Sequence, residues 1–407
     1  MRCASPSNSP NIATSATVIE PPRRFPSGYV NGKRPAHHLN DSKSKFHNPW
    51  PSFRYQSTGM WIDMIRKGAS GGVKIPEDVK DHIPTQVPTW GTGKGNEEKA
   101  KATWLGHACY LLELPTPPNA TRGPRIIFDP VFSNRCSPVQ WGGGPPRFTD
   151  APCKIEDVPD VDMIVLSHNH YDHTDLPTLR SLCNPTSRST APHVFVPLSN
   201  GHLMQSSLSL PASRVHEMDW WDERLVKLTT ADGQIDAQVR ITCTPSQHTS
   251  GRTGFDRWST LWGAYVIEEL LPPSSRVGKK VYFAGDTGYK TVHVHKGEKE
   301  DDPVAREVCP AFKEVGERFG GVDGAMLPIG AYHPREMWSN LHASPADAVR
   351  MLRDVKGKKG LAMHWGTWQL TSEPVLEPPV ALKEEREKLG MREDEFVVPG
   401  LGETVFF

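Results

Sequence analysis

What this 407-residue chain lacks narrows its class before any motif is read. Its seven cysteines (Cys3, Cys109, Cys136, Cys153, Cys183, Cys243 and Cys309) are odd in number, scattered and without a CxxC pair. A disulfide framework is therefore not expected, and reduced thiols point to an intracellular setting, cytoplasmic or peripheral on membranes. No run approaches the ~20 apolar residues of a spanning helix, and the N-terminus lacks the apolar core of a secretory signal. No internal repeat stands out. The formal net charge is zero, so no global field recruits nucleic acid.

The charge that is present is unevenly placed. Residues 1–75 hold eleven Lys/Arg and three Asp/Glu, a net of +8 that leaves −8 for the remainder. Residues 1–45, rich in Ser, Pro, Asn and Arg with no hydrophobic period, are expected to form a disordered basic leader, or a tail drawn to anionic lipid. The first 19 residues are Ser/Thr-rich and acid-free, a transit-peptide trait that a single Arg does little to support. Order is expected from Phe46-His-Asn-Pro-Trp-Pro-Ser-Phe53, opening an extension over 46–100 that packs on the core. Within it Gly59–Lys67 has the spacing of a short amphipathic helix, and Gly68–Lys99 that of a Pro/Gly connector. Residues 101–407 read as the catalytic domain.

Inside that domain, short apolar runs alternate with helical patterns. Strands are expected at Ala102–Leu114 (a pair), Arg125–Pro130, Val194–Leu198, Val239–Thr244, Leu261–Glu268, Lys280–Ala284, Gly324–Ile329 and Leu361–Trp365. Helices are expected at Leu176–Cys183 and Pro310–Phe319, and from Ser344-Pro-Ala-Asp347 to about Asp354, where Ser is the N-cap and Pro the first helical residue. Phe132–Phe148 is a long Gly/Pro-rich loop of the kind usually tied to function. The charged Thr291–Val308 stretch reads as a solvated insertion. Strand–helix alternation in two halves suggests a layered α/β sandwich.

One stretch declares the chemistry. The apolar run Met163–Leu166 stops at Ser167 and gives way to His168, His170, Asp172 and His173, four metal-ligand types in six residues. Three imidazoles and a carboxylate packed so tightly are costly to bury unpaired, and a divalent cation relieves that cost. Three further candidates stand at the ends of apolar strands. These are His248, Asp286 (flanked by Gly285 and Gly288, which permit a tight turn) and His364. Five His and two Asp suit two zinc ions per chain, each with a position open for water or substrate. A carboxylate is the sensible bridge between adjacent ions, and Asp286 is the residue chosen for it.

The spacing His168-Asn-His-Tyr-Asp-His173 matches the HxHxDH signature of the metallo-β-lactamase superfamily. Flanking motifs resemble the N-acylphosphatidylethanolamine-hydrolysing phospholipase D family. They include Asn48-Pro-Trp-Pro51, Trp104-Leu-Gly-His-Ala108, Asp219-Trp-Trp221, Thr244-Pro-Ser-Gln-His248, Phe283-Ala-Gly-Asp-Thr-Gly-Tyr289 and His364-Trp-Gly-Thr367. The resemblance implies a four-layer αββα sandwich of the metallo-β-lactamase type. It also implies one ion on His168, His170 and His248, and another on Asp172, His173 and His364, with Asp286 bridging. Cys109, His333 before Pro334-Arg335 and the 291–308 insertion depart from the family pattern.

The expected activity is a phospholipase D-type hydrolysis of N-acylphosphatidylethanolamine to N-acylethanolamine and phosphatidic acid. Asp286 and Asp172 carry it, and Asp172 can also accept a proton from water. His342 has two readings, proton donor to the leaving alkoxide or capping residue; Tyr171 likewise contacts phosphate or merely packs. The partners expected are a phospholipid substrate, a membrane surface reached peripherally and, by resemblance, a second copy in a homodimer. Rivals are another dinuclear hydrolase of the same fold, a lactonase or other phosphodiesterase, and a non-enzymatic lipid-binding relic. A nuclease would want a strongly basic folded domain, which this chain lacks.

Overall fold

The computed structural model describes residues 15–25, 34–56, 66, 73–118, 120–184, 186, 188, 191–229, 235–272, 276–292 and 307–407. Apart from Arg66, the helix expected over Gly59–Lys67 lies outside the described residues, as does the central part of the 291–308 insertion. In chain order the first strands are β1 (Ser15–Ile19), β2 (Lys101–Gly106), β3 (Cys109–Glu113), β4 (Arg125–Phe128), β5 (Met163–Val165), β6 (His193–Pro197) and β7 (Val215–Met218). They are followed by β8 (Glu223–Thr229), β9 (Ile235–Thr244), β10 (Ala264–Leu271), β11 (Arg276–Phe283), β12 (Val322–Pro328), β13 (Gly357–Met363), β14 (Phe396–Val397) and β15 (Thr404–Phe406).

Two mixed sheets result, one ordered β15-β2-β3-β4-β5-β6-β7 and the other β1-β8-β9-β10-β11-β12-β13-β14. Their facing sides form the main core, in which Phe128 of one sheet stacks on Phe283 of the other at 4.6 Å between ring centres. Two tyrosines pin the sheets in register across this core. Tyr110 Oη donates to the Ala362 carbonyl at 2.7 Å, and Tyr265 Oη donates to that of Leu166 at 3.1 Å. A slip of either sheet would orphan these buried polar groups, so the pins specify alignment as well as adding stability.

The outer faces are covered by helices. Helices α1 (Leu176–Cys183) and α2 (Gly201–Leu208) set Leu179, Leu182, Met204 and Leu208 against Ile127, Ile164 and Val194 of the seven-stranded sheet. On the other side lie α3 (Ala311–Phe319), the short α4 (Arg335–Trp338), α5 (Pro345–Asp354) and α6 (Glu377–Lys388). α3 buries Phe312, Val315 and Phe319, three residues of one helical stripe. α5 starts as its sequence demands. Ser344 Oγ accepts the Asp347 amide at 3.2 Å while the Asp347 carboxylate accepts the Ser344 amide at 3.1 Å, with Pro345 in the first turn. The four layers are those of the expected αββα sandwich.

The expectation of a leader without structure fails for 15–25 and 34–45. Ser15–Ile19 adds an antiparallel edge strand, pairing Ser15 with Thr229 through Ile19 with Leu225. Ala16, Val18 and Phe25 pack on the main core, and His37 and His38 are buried against Asp219. Five residues with two half-buried apolar side chains are too short a pattern to stand out in a polar stretch; the pairing partner supplies the rest. Arg24 closes the attachment, reaching the buried carboxylates of Glu223 (2.7 Å from Nε) and Glu268. Phe46, Val79 and Ile83 from the 46–100 stretch also belong to the main core.

Two predictions follow from this attachment. Among the described residues, Arg24→Met leaves Arg240, at 4.0 and 3.7 Å, as the cation beside Glu223 and Glu268. Breaking a fully buried pair costs about 3–5 kcal/mol, and because Arg24 is half-buried a loss of about 2–3 kcal/mol is expected in denaturant unfolding. The second concerns acid. His193 Nε2 bonds the Ala16 carbonyl of β1 at 3.2 Å and its Nδ1 faces His216 Nε2 at 2.8 Å. Burial, aided by Arg214, depresses each imidazole to about 4 from the ordinary 6.5. The unfolded chain therefore binds more protons between those values, and stability falls as pH drops below about 6.5. After discounting for partial exposure, the loss by pH 4.5 is on the order of 2 kcal/mol. Hydrogen exchange should show the β1 amides opening first.

Candidate metal centre

The site is built where strands of both sheets end. His168–His173 follow β5, His248 follows β9, Asp286 follows β11 and His364 follows β13. Gly285 makes the Asp286 turn possible: it sits at φ 57°, and a Cβ there would lie 2.4 Å from that of Ser167. Gly288 is as tightly placed, with a Cβ position 2.4 Å from the Asn340 backbone, and its amide donates to the Gln247 carbonyl at 2.7 Å. Both glycines have the role expected of them. His107, Asp129 and His364 take positive φ without being glycine, at 49°, 37° and 64°. Strain of this kind concentrates where side chains must be aimed: the rings of His107 and His364 pack on each other, and Asp129 holds His173.

All seven residues predicted to bind metal meet. His168 Nε2 lies 2.8 Å from His170 Nδ1, which lies 3.4 Å from His248 Nε2. On the other side Asp172 Oδ2 lies 3.5 Å from His173 Nε2 and 3.8 Å from His364 Nε2. Asp286 stands between the two groups. Its Oδ1 is 2.8 Å from His364 Nε2, and its Oδ2 is 3.2 Å from His173 Nε2 and 3.6 Å from His248 Nε2. His342 Nδ1 is 3.8 Å from the same Oδ2.

Partners behind the rings decide which nitrogen points inward. Asp129, fully buried, receives the Ser167 amide at 2.7 Å and the Ser167 hydroxyl at 2.5 Å. That hydroxyl in turn accepts His168 Nδ1–H at 2.8 Å. The other oxygen bond of Asp129 goes to His173 Nδ1 at 2.7 Å. His248 Nδ1–H donates to the Leu341 carbonyl at 2.9 Å. Each of these rings therefore turns its Nε2 towards the centre, the arrangement by which outer hydrogen bonds orient metal ligands. The His248 backbone is held from outside by Asn48, whose amide donates to the His248 carbonyl at 2.8 Å and accepts its N–H at 3.2 Å. The Asn-Pro-Trp-Pro motif far upstream thus serves the site directly.

Two buried carboxylates draw positive charge into this centre. Burial opposes ionisation of Asp172 and Asp286, yet His173 for both, joined by His107 and His364, holds them well below the carboxylate range. Burial would likewise lower His173 and His364, but the same carboxylates push His173 well above its ordinary value and His364 up to about 9. His168, His170 and His248 are all driven down, by burial first. The carboxylates thus favour positive charge on His173 and His364, where a divalent cation would supply it, while burial keeps charge off His168, His170 and His248. His173 Nε2, His364 Nδ1 and Nε2, Asp286 Oδ1 and His342 Nδ1 are buried without a well-directed hydrogen bond, the His364–Asp286 and His173–Asp286 contacts being close but misaligned. Orphans on this scale are expensive in a dry interior and fit divalent ions held between them.

The sequence reading missed His107. Its Nε2 lies 3.1 Å from Asp172 Oδ2 and its ring packs 4.1 Å from that of His364. It ends an apolar strand just as His248 and His364 do, so the same signal was available. Asp129 and Ser167 left no such trace, because an orienting carboxylate looks in sequence like any strand-end Asp. Tyr171, read as either a phosphate contact or a packing residue, lies beneath the Arg252 guanidinium, which is 3.9 Å from its ring centre, and is not among the residues lining the cavity. Its neighbours in sequence turn inward, and the same tight turn points Tyr171 away. Beside the centre opens a cavity of about 430 Å³. His170, Asp172, His248, Asp286 and His342 form its floor; Trp338, Leu341 and Leu370 form an apolar wall, and Thr249, Ser250, Gly251, Thr253 and Gly254 a polar one.

Known proteins resemble this chain in the same places. Residues 124–365 match the beta-lactamase superfamily domain. The N-acyl-phosphatidylethanolamine-hydrolyzing phospholipase D 1 of Caenorhabditis elegans is 33% identical over 308 residues, 74% of each chain. The chain belongs to this phospholipase D family. The mitochondrial enzyme of that name from Saccharomyces cerevisiae is 29% identical over 396 residues, 89% of this chain and 75% of the other. An uncharacterised protein of Mycobacterium tuberculosis is 32% identical over 70% of this chain and 63% of its own length. Membership makes the chain a metal-dependent hydrolase of the metallo-β-lactamase fold.

If Asp129 sets two tautomers, Asp129→Asn should lower metal affinity by about 10–100-fold, measured by competition with a chromogenic chelator. The circular dichroism spectrum should stay unchanged.

Proposed function

We propose that this chain is a zinc-dependent phospholipase D-type phosphodiesterase that hydrolyses N-acylphosphatidylethanolamine to N-acylethanolamine and phosphatidic acid. The observation that carries the proposal is the position of Asp286, whose single carboxylate reaches imidazoles of both trios. Such a residue suits a two-ion centre better than one ion with spare ligands. In this reading His168, His170 and His248 would hold one zinc and Asp172, His173 and His364 the other, with the Asp286 carboxylate placed to serve both. When bound, two such ions neutralise phosphodiester charge and bring the pKa of water from about 15.7 towards about 7.

The chain's own residues do the rest. The cavity floor presents Asp172, whose second role is to take a proton from water, held in place by His107. His342 lines the cavity with its Nδ1 free of protein partners, and is placed to hydrogen-bond the leaving oxygen as the phosphorus–oxygen bond breaks. The peptide after it is tied down, since Arg335 Nη1 donates to the His342 carbonyl at 3.3 Å and its Nη2 to the Asp347 carboxylate at 2.5 Å. Trp338, Leu341 and Leu370 suit an acyl chain, and the hydroxyls and amides of the opposite wall suit a polar headgroup. No helix among the described residues is long and apolar enough to cross a membrane, so access to the lipid is proposed to be peripheral.

The test combines metal counting with product detection. Purified protein should hold two zinc ions per chain by elemental analysis and release N-acylethanolamine from vesicles, a release that chelation abolishes and added zinc restores. Asp286→Asn should cut turnover by at least about 100-fold. Turnover of a soluble lactone or phosphodiester with no lipid turnover would favour the rival hydrolases instead.

A further inference from the structure

We infer that Trp141 and Phe255 are the side chains by which this molecule docks on an anionic bilayer, with the mouth of the cavity facing the lipid. The inference rests on the lipid-hydrolase reading and names the surface that reading needs. Among the described residues, Phe255 at 98% and Trp141 at 87% are the most exposed of the large apolar side chains, well ahead of Tyr55 at 62%. Single exposed apolar residues need no explanation. These two differ because each crowns a loop built to hold it out.

The Phe255 loop is closed by one carboxylate. Asp256 accepts the Arg252 amide at 3.0 Å, the Thr253 amide at 2.7 Å and the Thr253 hydroxyl at 2.9 Å, while the Phe255 amide bonds that hydroxyl at 3.2 Å. The Trp141 loop is closed by a bridge between Arg135 and Pro146, with Arg135 Nη1 donating to the Gly144 carbonyl at 2.8 Å and Ser137 Oγ to that of Gly142 at 3.0 Å. Loops that satisfy their own polar groups in this way hold their shape without a partner. An aromatic at the apex of such a loop is displayed, and it reaches a lipid surface without first paying ordering entropy.

Both loops are rooted on the metal-binding turn. Arg252 Nη1 donates to the carbonyls of Asn169 and Thr174, each at 2.9 Å. At the other flank Asp175 receives the Phe132 amide at 3.2 Å and the Ser133 amide at 3.0 Å. Residues of the Phe255 loop, Gly254 and Arg257 among them, line the cavity itself. The loop also gathers positive charge, since Arg252, Arg257 and Lys45 (whose Nζ bonds the Arg257 carbonyl at 3.0 Å) outnumber Asp256. N-acylation removes the amine charge of phosphatidylethanolamine, so a membrane rich in this substrate is negative. Aromatic tips among cations suit such an interface.

Sedimentation of the full chain with vesicles decides the matter, using phosphatidylcholine alone or with phosphatidic acid and no N-acylated lipid. Wild-type protein should partition onto the anionic vesicles, and the Trp141→Ala, Phe255→Ala double variant should lose about tenfold or more of that partition. Its thermal midpoint and its turnover of a short-chain substrate below its micellar concentration should match the wild type. Unchanged partition, or no wild-type partition at all, would overturn the inference. So would a double variant whose elution size falls while its partition holds, which marks a contact between copies of the chain. Because the vesicles carry no substrate, lost partition in the variant supports docking even if lipid hydrolysis is absent, which keeps the two proposals separable.

Discussion

The centre depends on one buried carboxylate that stands behind the histidine rings it orients. Asp129 holds His173 directly and His168 through Ser167, so a single charge sets the tautomer of one ring in each trio. Without it both rings could present N–H instead of a lone pair, and two opposed sets of ligands would lose their common aim. Asp129 is able to do this because β4 and β5 run parallel, with Phe128 opposite Val165, which carries Asp129 and Ser167 to the same end of the sheet. Burial pushes its carboxyl upward in pKa, and the bonds to His173 and Ser167 oppose that push. The balance is struck inside the protein rather than with solvent.

The strand-end geometry explains why much of this was legible beforehand. Ligands at Ser167-His168, at His248 and at His364 each follow an apolar run, so period and composition were enough to place them. α1 and α5 appeared with the boundaries their caps implied, because Pro and Ser–Asp chemistry is local. What stayed hidden was relational. β1 has no signal apart from β8, β7 and β8 are mixed in polarity, and α6 opens on Pro378 and Pro379 with little amphipathic contrast. Likewise His107 and Asp129 owe their placing to what lies across the fold from them, as does the seat of Tyr171 beneath Arg252.

Positive-φ residues mark the price of the site. His107, Asp129 and His364 all sit in a region that branched or bulky side chains avoid, and the His364 amide donates to the His107 carbonyl at 2.9 Å. Two strained turns from different sheets are thereby clasped together. The fold supplies the rigidity for this through Tyr110, Tyr265 and the Phe128–Phe283 stack, which lie just below the centre and resist any sliding of one sheet on the other.

The pairing of β1 with β8 has a consequence for the order in which the molecule is made. Ser15 meets Thr229, and at the other edge Thr103 meets Thr404, so each sheet is closed by a strand from near an end of the chain. At about 5–20 residues per second of synthesis, the first strand waits on the order of 10–40 s for its partner to emerge. His107 waits longer still for His364. The metal centre is therefore a late product of translation, and nascent chains spend most of their time on the ribosome with two open sheet edges and only half a ligand set.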